Sequence, residues 1–337
     1  MKNINAEALR ALDQRLDVLS NIDIGGRGVE KLLNASRQSL GGRSPVGAAA
    51  DLLSGLKHGA TVLYTTGSVS RAWISPRVTE NDGPAGTALL ARALTMGKGT
   101  HNVVVCEESM IPTLSRIFTA AGLSVLSFDE ARHASQDGSL AAVSFEPFTV
   151  ETAGADEAAE ALLSKVQPDL LISAERVGRA KDGIYYSMRA IDYGQGRARI
   201  DHIFDLARSQ ERPTLCIGDG GNEIGMGLIS DSVIAHVKHG ATIGAVSACD
   251  VLVTAACSNW GCSAIAAALA ARLQKPALLN NPTLEEKLLE RGVEIGLINS
   301  VDNCIDPNVD GIPLATHLAV VQIIETLTTR FIAQQAN

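Results

Sequence analysis

The stretch at 218–227 reads GDGGNEIGMG, five glycines in ten positions with two carboxylates between them. Glycine permits left-handed dihedrals and close approach of the backbone to a ligand. Asp219 and Glu223 add hard carboxylate oxygens and Asn222 a neutral one, a donor set that suits Mg²⁺ or Mn²⁺ better than a thiolate-loving ion. A phosphate cradle is the first alternative, but the loop carries no lysine or arginine and its spacing fails the dinucleotide pattern. A glycine-rich turn with Asp219 as a helix cap is the second.

Three further segments gather polar groups beside glycine. Glu80-Asn81-Asp82-Gly83-Pro84 opens a stretch of small residues, where Asp82 could cap a helix while Glu80 is solvated or binds an ion. Residues 175–189 mix Glu175, Asp182, Arg176, Arg189, Tyr185 and Tyr186 around two glycines, too polar for core and too aromatic for a plain linker. Arginine grips a carboxylate through paired hydrogen bonds, so Arg189 or Arg176 could hold a substrate or pair with Glu175. Ser258-Asn259-Trp260-Gly261 offers free backbone N–H groups and the Asn259 amide to a substrate oxygen, with helix capping as the competing role. Asp302, Asp306 and Asp310 form a late acidic loop before Gly311.

Such loops need a framework, and apolar runs supply one. Strands are expected at 61–65, 102–106, 123–128, 141–145, 170–173, 214–217 and 250–254, with helices at 86–96, 111–121, 155–166, 263–273 and 314–334. Helical patterns at 5–19 and 29–39, and a third from Ser44-Pro45 to about 57, make an N-terminal helical segment, 1–60, ahead of an α/β catalytic domain, 61–337. Alternating strand and helix patterns argue for a mostly parallel sheet with helices on both faces, in Rossmann-like layers. In such sheets ligands gather beyond the C-terminal ends of the strands, which is where the four polar loops fall. The polar stretch 129–138 reads as a surface excursion.

The chain has 337 residues, 46% hydrophobic and only 4% aromatic, so its core relies on small aliphatic side chains packed closely. A net charge of −8 without a Lys/Arg cluster argues against nucleic acid as a partner. No run of about 18 uncharged apolar residues argues against a membrane. Six cysteines fit no zinc spacing and read as reduced core thiols, Cys257 and Cys262 being the plausible exceptions. The expectation is a soluble, cytoplasmic protein whose partner is a small molecule, with a homo-oligomer left open.

GDGGNEIGMG, the Asp-Gly-x-Tyr-Tyr core within 175–189, Ser258-Asn259-Trp260-Gly261 and Val309-Asp310-Gly311 together resemble the D-glutamate cyclase family. Residues 80–86 are similar to that family's Glu-Thr-Asp-Gly-Pro-x-Gly element, with Asn81 at the threonine position. The resemblance implies a stand-alone, bacterial-type counterpart of the C-terminal catalytic region of the longer animal-type enzyme. It implies reversible lactam formation: the amine of D-glutamate attacks its own γ-carboxyl carbon, water leaves, and 5-oxo-D-proline results. On that basis Mn²⁺ or Mg²⁺ is expected on Glu80, Asp219, Glu223 and Asp310, with Glu175 a further candidate. Asp182 is the expected proton carrier, with Glu175 and Asn259 also catalytic. Arg189, Tyr185, Asn222, Ser258, Gly220 and Gly221 are expected to bind the substrate, whose leaving oxygen needs a Lewis acid and whose amine needs a base. The rival readings are another metal-dependent hydrolase, such as a lactam amidohydrolase or a phosphatase, and a non-catalytic module that binds an amino acid or metal.

Overall fold

The computed structural model describes residues 4–67 and 69–336. Three helices lead: α1 (Ala6–Ser20), α2 (Val29–Ser39) and α3 (Pro45–Gly55). Then follow β1 (Thr61–Thr66), α4 (Pro84–Lys98), β2 (His101–Cys106), α5 (Ile111–Ala120), β3 (Ser124–Val125), α6 (Phe128–Asp137), β4 (Ala142–Pro147), α7 (Ala155–Val166) and β5 (Leu170–Ala174). The second half holds α8 (Asp201–Ser209), β6 (Thr214–Gly218), α9 (Ser230–His236), α10 (Gly240–Ile243), β7 (Val251–Thr254), α11 (Ser258–Leu273), α12 (Pro282–Glu294) and α13 (Leu314–Ala336). The strands pair in parallel in the order β3-β4-β2-β1-β5-β6-β7. This is the Rossmann-like α/β architecture expected from the alternating patterns.

Each central strand is apolar on both faces because helices cover both. Val62 and Tyr64 of β1 point into one core with Ile172, Leu215 and Ile217, while Leu63 joins Leu171 and Cys216 in the other. That alternation is the two-residue period of a strand buried on both sides. The first core also takes Leu12 and Leu16 of α1 and Val46 and Leu53 of α3, so the leading helices and the sheet share one interior.

At the centre of that core lies α11, a helix of small side chains that is buried from Ser258 to Ala271. A helix apolar all round belongs inside a fold, and its alanines let neighbours come close. The approach of α4 is the tightest: a Cβ on Gly86 would lie 2.8 Å from Asn259 Cα and 2.9 Å from Cys262 Cβ.

The structure departs from the sequence reading in a few places. Residues 129–138, read as a surface excursion, form most of α6, whose start is a capping box in which Ser127 and Glu130 satisfy each other's backbone N–H. That box shortens the strand expected at 123–128 to β3, since Ser127 already belongs to the helix start. Helices α8, α9, α10 and α12 lie outside the helices expected from the sequence. The last core helix begins at Ser258, not at 263, so Ser258-Asn259-Trp260-Gly261 is its first turn. Among the described residues no helix is long and apolar enough to cross a membrane.

Replacing Gly86 by alanine should force α4 and α11 apart. Urea unfolding of Gly86→Ala should show a loss of about 1–3 kcal/mol, the usual cost of overpacking a close contact. An unchanged midpoint would show that the two helices can separate freely.

Candidate active site

The chain passes from β1 to β2 and on to the edge strand β3, returns to insert β4 between β2 and β3, and then adds β5 on the other side of β1. Neighbouring connections therefore leave the sheet in opposite directions at β1 and β5, and a crevice opens above their C-terminal ends. Three strand ends feed it. Past β1 come Glu80 and Asp82, directly after β5 comes Glu175, and directly after β6 comes Asp219. Carboxylate oxygens of Asp82, Glu175 and Asp219 lie within 4.8 Å of one another.

Asp82 is held by the helix it faces. Its carboxylate accepts hydrogen bonds from the backbone N–H groups of Ser258 (2.8 Å) and Asn259 (2.9 Å) at the start of α11. The α11 N-cap residue, Cys257, makes no side-chain cap of its own. In return, Asn259 Oδ1 accepts from the N–H groups of Gly83 (3.1 Å) and Gly86 (2.8 Å), completing the start of α4, where Gly83 has no side chain to do so. Each helix thus caps the other. Gly83 sits at φ +93°, and a Cβ there would lie 2.7 Å from Glu175 Cβ. Only glycine lets the two acidic strand ends come this close.

Glu175 occupies the left-handed region at φ 53°, as does Asp310 at φ 52°. Non-glycine residues hold that conformation only where surrounding contacts impose it. For Glu175 these include a hydrogen bond from Ser258 Oγ to its carboxylate (2.6 Å) and the fully buried Arg176 beside it. Arg176 grips Glu107 through both terminal nitrogens (2.9 and 2.6 Å) and donates to the carbonyls of Gly67 and Ala198. Burial alone would raise the Glu107 carboxyl, but this pairing holds it below the ordinary range. Asp310 is brought in by the 298–310 loop, which Asn81 ties down through its N–H to Ile298 (3.0 Å) and its amide to Asn308 (2.6 Å).

The carboxylates raise one another. Burial, then the neighbouring acids, push Glu80 and Asp310 up to about 8 and Asp82 to about 6. Burial lifts Asp219 to about 7 although Arg27 opposes the rise, and Glu175 stands well above the ordinary carboxylate value. At 4.8 Å an ionised pair costs on the order of 3 kcal/mol at an effective dielectric near 20, so the cluster cannot carry all its charges unaided. Arg27, from the turn between α1 and α2, supplies part of the compensation. It lies 2.7 Å from Asp219 and 3.3 Å from Asp310 and also meets the Ala256 carbonyl. Asp23 steadies that turn by accepting from the N–H groups of Arg27 and Gly28. Asp219 Oδ2 is buried and receives no well-aligned hydrogen bond among the described residues, its close partner being the Arg27 guanidinium. An all-oxygen donor set with an unsatisfied buried carboxylate oxygen fits a hard cation, and Asp82, Glu175 and Asp219 could hold a metal ion.

The cluster opens into a cavity of about 300 Å³ lined by Glu80, Glu175, Asp219, Asp310, Asn222 and Arg189 among others. Residues 16–325 match the family described as D-glutamate cyclase-like, C-terminal. The chain belongs to this family. It is 28% identical over 346 aligned residues to human mitochondrial D-glutamate cyclase, covering 94% of this chain and 52% of the relative. It therefore spans about half the length of the curated relative it matches.

Within this member of the D-glutamate cyclase-like family, the residues singled out from sequence fall into two groups. Glu80, Glu175, Asp219, Asp310, Asn222 and Arg189 share the cavity. The others do not line it, although Ser258 donates to Glu175 and Glu223 adds its charge to those of Glu175 and Asp219. Glu223 turns back on its own loop, accepting from the N–H groups of Gly220 and Gly221 (both 2.7 Å), so those two donors are committed to Glu223. Asn259 and Ser258 are wholly buried in the mutual capping. Tyr185 is buried with its hydroxyl on Asp201 (2.5 Å). Asp182 is exposed and outside the cavity lining, held below the ordinary range by hydrogen bonds from the Tyr186 hydroxyl (2.7 Å) and the Ile184 N–H. Sequence reading gave Asp82 only a local capping role and gave Arg27 none. Their contacts reach across 175 residues or more, and no local spacing encodes them.

A carboxyl whose folded-state value is raised holds its proton more tightly when folded than when unfolded. Its stabilising contribution is complete below the unfolded value near 4 and disappears as pH rises through 6 to 8. In chelator, the thermal midpoint should therefore fall between pH 5 and pH 8.5, and Asp219→Asn should flatten that fall. A midpoint that rises over this range would contradict the clustering.

Proposed function

We propose that this chain is a divalent-metal-dependent cyclase acting on an acidic amino acid of the D-glutamate class. In the forward direction the amine nitrogen bonds to the γ-carboxyl carbon, a C–O bond breaks and water leaves, giving 5-oxo-D-proline; the reverse opens the lactam. The carrying observation is the carboxylate triad of Asp82, Glu175 and Asp219, two of which line the floor of a small-molecule cavity, in a chain of the D-glutamate cyclase-like family.

Asp82, Glu175 and Asp219 would hold Mn²⁺ or Mg²⁺, whose chemistry there is to polarise the γ-carboxyl and favour departure of its oxygen. The remaining acids handle protons. Attack requires a neutral amine, and the best acceptor has a pKa close to working pH. Glu80 faces the cavity beside the triad, so it is the acid placed to accept that proton and return it to the leaving oxygen, with Asp310 as its partner. This gives Glu80 the role that sequence alone suggested for Asp182. Arg189 lines the cavity and makes no side-chain hydrogen bond or ion pair among the described residues, which leaves it free for a substrate carboxylate. Asn222 can turn its amide oxygen to the substrate while its nitrogen donates to the Tyr186 carbonyl (2.7 Å). Five buried free thiols suit a reducing compartment such as the cytoplasm.

Purified protein with Mn²⁺ or Mg²⁺ should convert D-glutamate to 5-oxo-D-proline in a chiral chromatographic assay. Absence of product from either enantiomer, with metal bound, would refute the reading. Glu175→Gln and Asp219→Asn should each lose both bound metal and turnover. Glu80→Gln should keep its metal and lose about 10²–10⁴ in kcat, the usual share of general acid–base catalysis. Asp182→Asn should leave kcat within about threefold of the parent, as an exposed acid outside the cavity requires.

A further inference from the structure

The floor of the cavity is acidic, but its rim is not. Trp73, Met188, Ile191 and Val301 line it and are exposed by 52%, 37%, 53% and 49% of their surface. They come from three separate loops, at 69–79, 184–196 and 299–311, which converge only at this mouth. Large apolar side chains in a shared, exposed ring mark a contact surface more often than chance exposure does. The rim is also built in: Met188 rests on the bare backbone of Gly220, where a Cβ would lie 2.6 Å from its sulfur. Arg71 lies under Trp73 at 5.8 Å and is tied to Ser70 and to Asn303 across the mouth. Free glutamate has no apolar substituent to meet such a ring.

Resting on the cyclase reading above, we propose that the rim is a subsite for an apolar residue joined to the glutamate α-carboxyl, so that the preferred substrate is a glutamyl peptide with an apolar second residue. The chemistry leaves one point of attachment. Lactam closure consumes the amine and the γ-carboxyl: the N–C bond forms, the γ C–O bond breaks, and one water is released. The α-carboxyl takes no part and can be an amide without changing that balance. With the acidic head on the cavity floor, the second side chain lies against Trp73, Met188 and Ile191. The unpartnered Arg189 guanidinium, on the same wall as Met188 and Ile191, then receives the peptide's terminal carboxylate.

Two measurements test this. Calorimetric binding in the presence of Mn²⁺ should show 5-oxoprolyl-phenylalanine, in one of its two 5-oxoprolyl configurations, bound about tenfold more tightly than 5-oxoproline of the same configuration. Trp73→Ala and Ile191→Ala, each at an exposed position, should reduce that preference to less than about threefold, as loss of an apolar contact requires. Equal binding of the two ligands, or a preference untouched by both variants, would overturn the subsite. In turnover, glutamyl-phenylalanine should exceed free glutamate in kcat/KM by a similar factor, and a lower value than free glutamate would also overturn it. If the binding preference holds but neither compound cyclises, the subsite stands and the cyclase reading fails.

Discussion

Negative charge brought together away from water is the constraint on which the rest of this molecule depends. Asp82, Glu175 and Asp219 approach within 4.8 Å, with Glu80 and Asp310 close behind them. Repulsion at that range opposes folding, and the surrounding structure is arranged to withstand it. Backbone N–H groups of α11 point at Asp82, where the positive end of the helix offsets part of its charge. Arg27 does the same for Asp219 and Asp310. What those groups leave uncompensated is the driving force for a cation.

The framework follows from that demand. A strand-order reversal at β1 and β5 makes a crevice, but the acids enter it only because glycine stands where their backbones would collide. Left-handed backbone at Glu175 and Asp310 turns both side chains inward, at an energetic cost that the Arg176–Glu107 pair and the 298–310 loop help offset. A fully buried ion pair is rarely worth much stability in itself. Here it fixes the ends of β1, β2 and β5 relative to one another, which is a matter of position.

Much of this was legible in the chain. Two-sided apolar runs gave the parallel sheet, and polar or acidic groups beside glycine at four strand ends gave the place of the site. Period and composition encode those features locally. Individual roles were less legible, because they depend on partners remote in sequence. Asp82 and Asn259 both read as caps, and both are, but each serves the other's helix. Glu223 looked like a ligand by type and spacing, and only the curl of its own loop reveals that it braces Gly220 and Gly221. Ser127 and Glu130 did carry a plain helix-start signal, passed over because the stretch behind them is polar.

The exchange of caps between α4 and α11 also bears on how the chain reaches this state. Neither helix can finish its first turn until residues more than 170 positions apart have met. Contacts of such separation form late, since closing a long loop costs entropy before it is rewarded. Ser258 belongs to both arrangements, its N–H on Asp82 and its hydroxyl on Glu175. The contacts that finish the two helices are thus the same ones that set Asp82 beside Glu175, so the repulsive cluster and the frame that bears it are one unit.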